Sequence, residues 1–220
     1  MRRFLKTRLI PALALFVLFV VFTLSLRFVD VQAIGPLGSA VGYGGLNEAV
    51  HEFFSVNMLF YVISDWAGVA AIIVAFGFAM FGLIQWIKRK SLKKVDGCIL
   101  ALGGFYILVF GAYIFFEFCV VNYRPVLING VLEASYPSST TMLAACVFPS
   151  AMMVFRRLIG NLKTRFFVNF LCLLFTVFML TLRILSGVHW ITDIFGGILF
   201  SASALLLLSF AMSAITCNKE

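Results

Sequence analysis

Residues 166–193 read FFVNFLCLLFTVFMLTLRIL, then SGVHWIT, then Asp193. The first block holds 20 residues, polar only at Asn169, Thr176, Thr181 and Arg183. That length crosses a hydrocarbon layer of about 30 Å as a helix. Only seven residues separate it from a second apolar run, Asp193 to Ile215. Two such runs joined by so short a turn read as a helical hairpin in a membrane. A strand reading fails, because an open strand leaves its backbone unpaired in lipid. A barrel would need strands of about ten alternating residues, and none is present.

Working outward, four more runs qualify, at about 9–26, 66–87, 98–121 and 139–155. The second lies inside a longer stretch, Asn57 to Ile87, in which Ser64 and Asp65 set the expected entry into the core near Trp66. The spans predict an all-α integral membrane six-helix bundle, a single domain over 1–220. Composition agrees. Of 220 residues, 63% are hydrophobic and 12% charged, with a mean hydropathy of +1.08. Soluble domains are about half apolar and about a quarter charged. A soluble globule, a disordered chain and a nucleic-acid-binding domain are thereby excluded. The basic start and first apolar run read as a retained signal anchor, since Arg27-Phe28-Val29-Asp30 offers no small-residue cleavage site.

The net charge is +8, and its placement matters more than its size. Fourteen of 17 basic residues fall on one side: Arg2, Arg3, Lys6, Arg8, Lys88, Arg89, Lys90, Lys93, Lys94, Arg156, Arg157, Lys163, Arg165 and Lys219. By the positive-inside rule that side, with both termini, is cytoplasmic. Arg27, Arg124 and Arg183 remain outside. Arg27 reads as an interfacial anchor, and the other two stand at outer helix ends. Trp66, Trp86 and Trp190 fit interfacial belts. The five cysteines are scattered and read as small buried hydrophobes, with no metal-ligand spacing. No metal or other cofactor is expected. In the first outer loop, Asn47 to Phe54 reads as an amphipathic interfacial helix that Asn47 could cap. His51 reads as its surface histidine, with a role in the site as the lesser possibility. Asp65 reads as an interfacial helix-capping residue, with a place facing the site as the lesser possibility.

The chemistry gathers in the other two outer loops. His189 and Asp193 are four apart, so on a helix they share a face. Asp193 can then hold one ring nitrogen and leave the other as base or nucleophile. Arg183 supplies a planar fork of donors suited to phosphate. Arg124-Pro125 ends one span. Pro137-Ser138-Ser139-Thr140 opens the next, where hydroxyls and free N–H groups make an anion site.

These residues resemble the motifs of the type 2 phosphatidic acid phosphatase superfamily, membrane relatives of vanadium haloperoxidases and bacterial acid phosphatases. The family pattern is Lys-x6-Arg-Pro, Pro-Ser-Gly-His and Ser-Arg-x5-His-x3-Asp. Here Arg183, His189 and Asp193 match the third motif, Arg124-Pro125 the first and Pro137-Ser138 the second. The resemblance implies that His189 attacks phosphorus to form a phosphohistidine, with Asp193 orienting it. Arg124, Arg183, Ser138, Ser139 and Thr140 would hold the phosphate. The implied partner is a lipid phosphate or polyprenyl diphosphate substrate, met at the outer face of a bacterial plasma membrane. Two positions depart from the pattern: Glu117 stands where the family has Lys, and Thr140 where it has His. Glu117 is expected either to serve as a replacement acid or to pair, ionised, with Arg124 or Arg183. A non-catalytic binder of lipid phosphate heads, and a small transporter or scaffold, are the competing expectations.

Overall fold

A computed structural model of the chain describes residues 5–217. Arg2, Arg3 and Lys219 lie outside the described residues, as does the side chain of Lys6. After a π-helical turn at Leu5–Leu9, the chain forms α1 (Ile10–Ser25), α2 (Gly44–Phe54), α3 (Met58–Arg89), α4 (Gly97–Phe118), α5 (Ser139–Leu158), α6 (Leu162–Leu185) and α7 (Ile191–Cys217). All but α2 are long and apolar enough to cross a membrane. Among the described residues no strand is formed. The outer faces carry large apolar side chains, such as Phe16, Ile73, Phe76, Ile107, Phe110 and Phe170. In water such a surface would aggregate, whereas lipid solvates it. The chain is a multi-pass membrane protein.

Helix α5 is the centre. It packs against α3, α4, α6 and α7. Its run of Ala144, Ala145, Cys146, Ser150 and Ala151 is buried, and small side chains let neighbouring backbones approach closely in lipid. Pro149 lies inside α5, which continues through it. Helix α1 packs along α7, where the Ser203 hydroxyl donates to Ala12 O at 2.9 Å. An aromatic cluster of Phe19, Phe116, Tyr136 and Phe200 fills the space between α1, α4 and α7. The Tyr136 hydroxyl is satisfied there by Thr23 Oγ1 at 2.6 Å. Cys146 and Cys172 are buried as free thiols, while Cys119 is exposed just past α4.

Two expectations change. Helix α3 begins at Met58, eight residues before the expected span start at 66. Asn57 caps it by accepting from Phe60 N at 3.2 Å. Ser64 and Asp65 looked like a boundary because they are polar. They instead lie within the helix and turn toward an arginine of α6. Asp65 therefore caps nothing. Asn47 does not cap its own helix either, since the residue before α2 is Tyr43. Asn47 is fully buried. Its amide donates to Gly42 O at 2.8 Å, and its oxygen accepts from Thr192 N at 3.3 Å. It supplies a missing acceptor to the first turn of α7.

Asn47→Ala removes that distant cap. It is expected to cost about 1 kcal/mol, lowering Tm in detergent by about 2–4 °C. A thermal unfolding scan checks this.

Candidate functional site at one end of the bundle

The loop that joins α4 to α5 is a small hairpin, and it builds most of the site. Asn129 and Gly130 both have positive φ, 51° and 79°, as a tight primed hairpin turn requires. Ile128 and Val131 pair across the turn. Further from it, Arg124 N donates to Glu133 O at 3.1 Å and Ser135 N to Asn122 O at 2.9 Å. The pairing sets Arg124 and Asn122 on one arm and Glu133 and Ser135 on the other.

The turn from α6 into α7 brings the remaining groups. Gly187 has φ +63°, and a Cβ there would stand 2.1 Å from Ser55 O. Only glycine fits both the left-handed backbone and that approach. His189 consequently lies in the turn before α7, not on a helix as the i, i+4 spacing predicted. Asp193 sits in the first turn of α7 and reaches back to accept from Trp190 N at 3.0 Å, a cap of that helix start. His189 Nδ1 and Asp193 Oδ2 are 3.8 Å apart, beyond hydrogen-bond distance. Ser135 fills the gap. Its Oγ is 2.9 Å from His189 Nδ1 and donates to Asp193 Oδ2 in a short hydrogen bond. Asn122 Nδ2 donates to Asp193 Oδ1 at 3.2 Å. On the other side of the ring, Arg124 Nη1 donates to His189 Nε2 at 3.3 Å. An arginine only donates, so Nε2 presents its lone pair.

Both arginines are buried, Arg183 to 2% exposure. Arg183 Nη1 meets Ser64 Oγ at 3.0 Å and Asp65 Oδ1 at 3.1 Å, and Nη2 donates to Thr140 Oγ1 at 2.6 Å. Arg124 Nε lies 3.0 Å from Glu133 Oε2. The Tyr61 ring is shared, 5.1 Å from the Arg183 guanidinium and 5.8 Å from that of Arg124. Burial holds the His189 imidazole well below its ordinary pKa, and the nearby Arg183 and Arg124 push the same way. The ring is neutral at neutral pH.

A polar cavity of about 250 Å³ opens onto Arg124, Glu133, Ser135, Ser139, His189 and Glu117, between α4 and the start of α5. Of the phosphate ligands expected at that helix start, only Ser139 lines it. The Ser138 hydroxyl is turned into its own helix, accepting from Thr141 Oγ1 at 3.0 Å and Thr141 N at 3.5 Å. Thr140 serves Arg183. Glu117 faces the cavity but makes no ion pair among the described residues. The expected pairing with Arg124 or Arg183 is not formed, because Glu133 and Asp65 occupy those partners. His51 packs at a tilt against Trp190, with ring centroids 5.4 Å apart and planes at 57°, and does not line the cavity. Trp190 is buried and donates Nε1 to Tyr123 O at 2.8 Å. It is no belt residue, unlike the exposed Trp66 and Trp86. Arg27, expected as an anchor, donates Nη2 to Val120 O at 2.6 Å and ties α1 to the loop after α4. Among the described residues no three His, Cys, Asp or Glu side chains group as a metal site.

Sequence reasoning missed Ser135, Asn122, Tyr61 and Glu133 as members of this cluster, and gave Asp65 a place in it only as the lesser alternative. One signal was present: Asn129-Gly130 is the dipeptide of a tight hairpin, which brings the two arms together. The outer pairing, Tyr123 with Ala134, is shifted by two residues from the register of the turn, and that shift sets Ser135 beside Asn122.

A six-span bundle with a buried histidine, an aspartate and two arginines at one end defines a class of membrane protein, and a sequence comparison identifies it. The PAP2 superfamily profile matches residues 105–216, and the chain belongs to that superfamily. A similar solved structure is that of a transmembrane PAP2 type phosphatidylglycerolphosphate phosphatase from Bacillus subtilis. Its TM-score is 0.60 at 18% identity, over 90% of this chain and 94% of that one. At that identity the likeness shows the fold. No match to a curated protein sequence was found.

Two outcomes follow. Thr140→Val keeps the shape but leaves a buried guanidinium N–H without its acceptor. It is expected to cost about 1–3 kcal/mol, read as a lower Tm in detergent. His189 titrates below 6.5 in the folded protein, so that state holds fewer protons than the unfolded one below that pH. Its effect on stability is therefore nil above pH 6.5 and increasingly unfavourable as pH falls below it. Histidine NMR, with only two histidines in the chain, reads the titration directly.

Proposed function

We propose that the protein is a lipid phosphatase acting through a phosphohistidine on His189. One observation carries this reading: a neutral, buried imidazole presents its Nε2 lone pair beside Arg124 at the wall of a polar cavity. A phosphate placed there would draw Arg124 Nη1 from Nε2 onto its own oxygens and so free the single Nε2 lone pair for phosphorus, and positioning with charge stabilisation is most of what phosphoryl transfer needs. Arg124 and Ser139 would contact the phosphate oxygens. Arg183, held by Asp65, Ser64 and Thr140, would act from behind through its charge. The substrate class is a lipid phosphate or a polyprenyl diphosphate, its head in the cavity and its tail in the bilayer beside α4.

Leaving-group protonation is the weak point of this site. Thr140, at the family's histidine position, is committed to Arg183. Glu117 faces the cavity without a cationic partner, which supports its role as a replacement acid. A diphosphate needs little such help, since phosphate itself is the leaving group, and this favours a polyprenyl diphosphate. The same two cavity carboxylates, Glu117 and Glu133, favour a second reading, a lipid-phosphate binder that does not turn over.

Orientation follows from charge. Arg8, Lys88, Arg89, Lys90, Lys93, Lys94, Arg156, Arg157, Lys163 and Arg165 lie at the end of the bundle away from the site. The positive-inside rule makes that end cytoplasmic and the site extracytoplasmic, in keeping with a bacterial plasma-membrane enzyme.

Purified protein in detergent is expected to release phosphate from phosphatidic acid or undecaprenyl diphosphate. His189→Ala should lower that release by about 10³-fold or more. Lipid binding with no release from either substrate overturns the enzyme reading in favour of the binder.

A further inference from the structure

The Ser135 hydroxyl has no place in the reaction as described so far, yet it occupies the gap between the two residues on which that reaction turns. We infer that Ser135 is a positioning residue for phosphoryl transfer, relaying a hydrogen bond from His189 Nδ1 to the Asp193 carboxylate. The inference rests on the reading of His189 as nucleophile.

The geometry assigns every proton in the chain. Nε2 accepts from Arg124 Nη1 at 3.3 Å. A neutral imidazole that accepts at one nitrogen carries its hydrogen on the other. Nδ1–H therefore donates to Ser135 Oγ at 2.9 Å, and the Ser135 hydrogen passes on to Asp193 Oδ2. A hydroxyl accepts and donates at once, so it serves as the link. Without it, Nδ1 and Oδ2 at 3.8 Å make no hydrogen bond. Asp193 is fixed by Trp190 N on Oδ2 and Asn122 Nδ2 on Oδ1. The hairpin supplies the register. Ser135 and Asn122 are paired through the Ser135 N to Asn122 O bond, so both arms hold the same carboxylate.

The relay has a task in each half-reaction. As the Nε2 lone pair forms the N–P bond, the P–O bond to the leaving group breaks. Its electron pair departs on the leaving oxygen, which gains a proton from the cavity. The imidazole becomes positive, and Nδ1–H···Oγ–H···Oδ2 spreads that charge toward Asp193. Water then attacks phosphorus, its proton going to solvent. The N–P pair returns to Nε2 and inorganic phosphate leaves. Throughout, the serine keeps the hydrogen on Nδ1, so that Nε2 is the nitrogen that bonds phosphorus and takes the pair back when phosphate leaves.

The test uses the full chain in detergent with phosphatidic acid and undecaprenyl diphosphate as probes. Ser135→Ala is expected to lower kcat by about 10²-fold, the scale of a slightly misplaced nucleophile, with KM within about twofold. Ser135→Thr, which keeps the hydroxyl, restores most of the loss. In ¹⁵N-histidine spectra, with His189 assigned by difference from His189→Ala, the wild type shows the Nδ1–H form and Ser135→Ala a mixture of tautomers. An unchanged kcat in Ser135→Ala, a change confined to KM, or an unchanged tautomer overturns the relay. Absence of phosphate release from the wild type would instead sink the nucleophile reading, and the tautomer measurement would still decide whether Ser135 orients His189.

Discussion

A guanidinium buried to 2% exposure in an apolar bundle is the constraint around which this end of the protein is built. An isolated charge there is prohibitive, so Arg183 must be neutralised and its terminal Nη donors met, while its Nε has no hydrogen-bond partner among the described residues. It sits on α6, yet its partners come from elsewhere: Asp65 and Ser64 from α3, and Thr140 from α5. The requirement explains two features that otherwise look like anomalies. Helix α3 must run past the expected boundary, because Ser64 and Asp65 have to reach into the bundle. Thr140 has an acceptor's duty toward Arg183, which a small hydroxyl meets inside a tightly packed helix start.

A second layer rests on that core. Tyr61, one turn before Asp65 on α3, lies against both guanidiniums, so the placement of Arg183 also bears on Arg124. Arg124 in turn touches His189 Nε2 and pairs with Glu133. The polar groups thus form a chain from the bundle interior to the cavity wall. Each link is held by a different element: α3 and α5 hold Arg183, the hairpin holds Arg124 and Ser135, and α2 holds the start of α7 through Asn47. A single misplaced element would leave a buried polar group unpaired, and such a cost is steep in the low dielectric of a membrane protein.

The six spans were legible because length and continuity alone decide them in lipid. Arg183, His189 and Asp193 were legible because their spacing lies in one short segment, and Arg124 because Pro125 follows it, although it stands on the hairpin arm past the end of α4 at Phe118 and not at a helix end as expected. The partners were not. Ser135, Tyr61 and Asn47 act through contacts with residues far along the chain, and no local pattern announces such a contact. Asp65 was seen, with a helix cap weighed above a place at the site, since polarity near an apolar run looks the same whether it faces headgroups or a buried arginine. The i, i+4 rule placed His189 and Asp193 on one helix face. The glycine turn at 187 instead holds the histidine outside the helix, and the extra distance is what Ser135 fills.

The cavity itself has a charge pattern that separates two tasks. Deep in the wall, the arginines and the histidine are nearly inaccessible. Toward the opening, Glu117 and Glu133 are far more exposed. An anionic head must therefore pass carboxylates to reach Arg124, and in reaching it must compete with Glu133 for the guanidinium. That competition weakens ground-state binding of phosphate. It would be less costly where charge builds up on the equatorial oxygens during transfer, because only then does Arg124 gain more from the substrate than from Glu133. Interactions that strengthen in the transition state raise turnover, whereas equal binding of both states does not. A carboxylate opposite an arginine proposed to bind phosphate is thus compatible with catalysis, and it would favour substrates whose bilayer tail, rather than their head charge, supplies the binding.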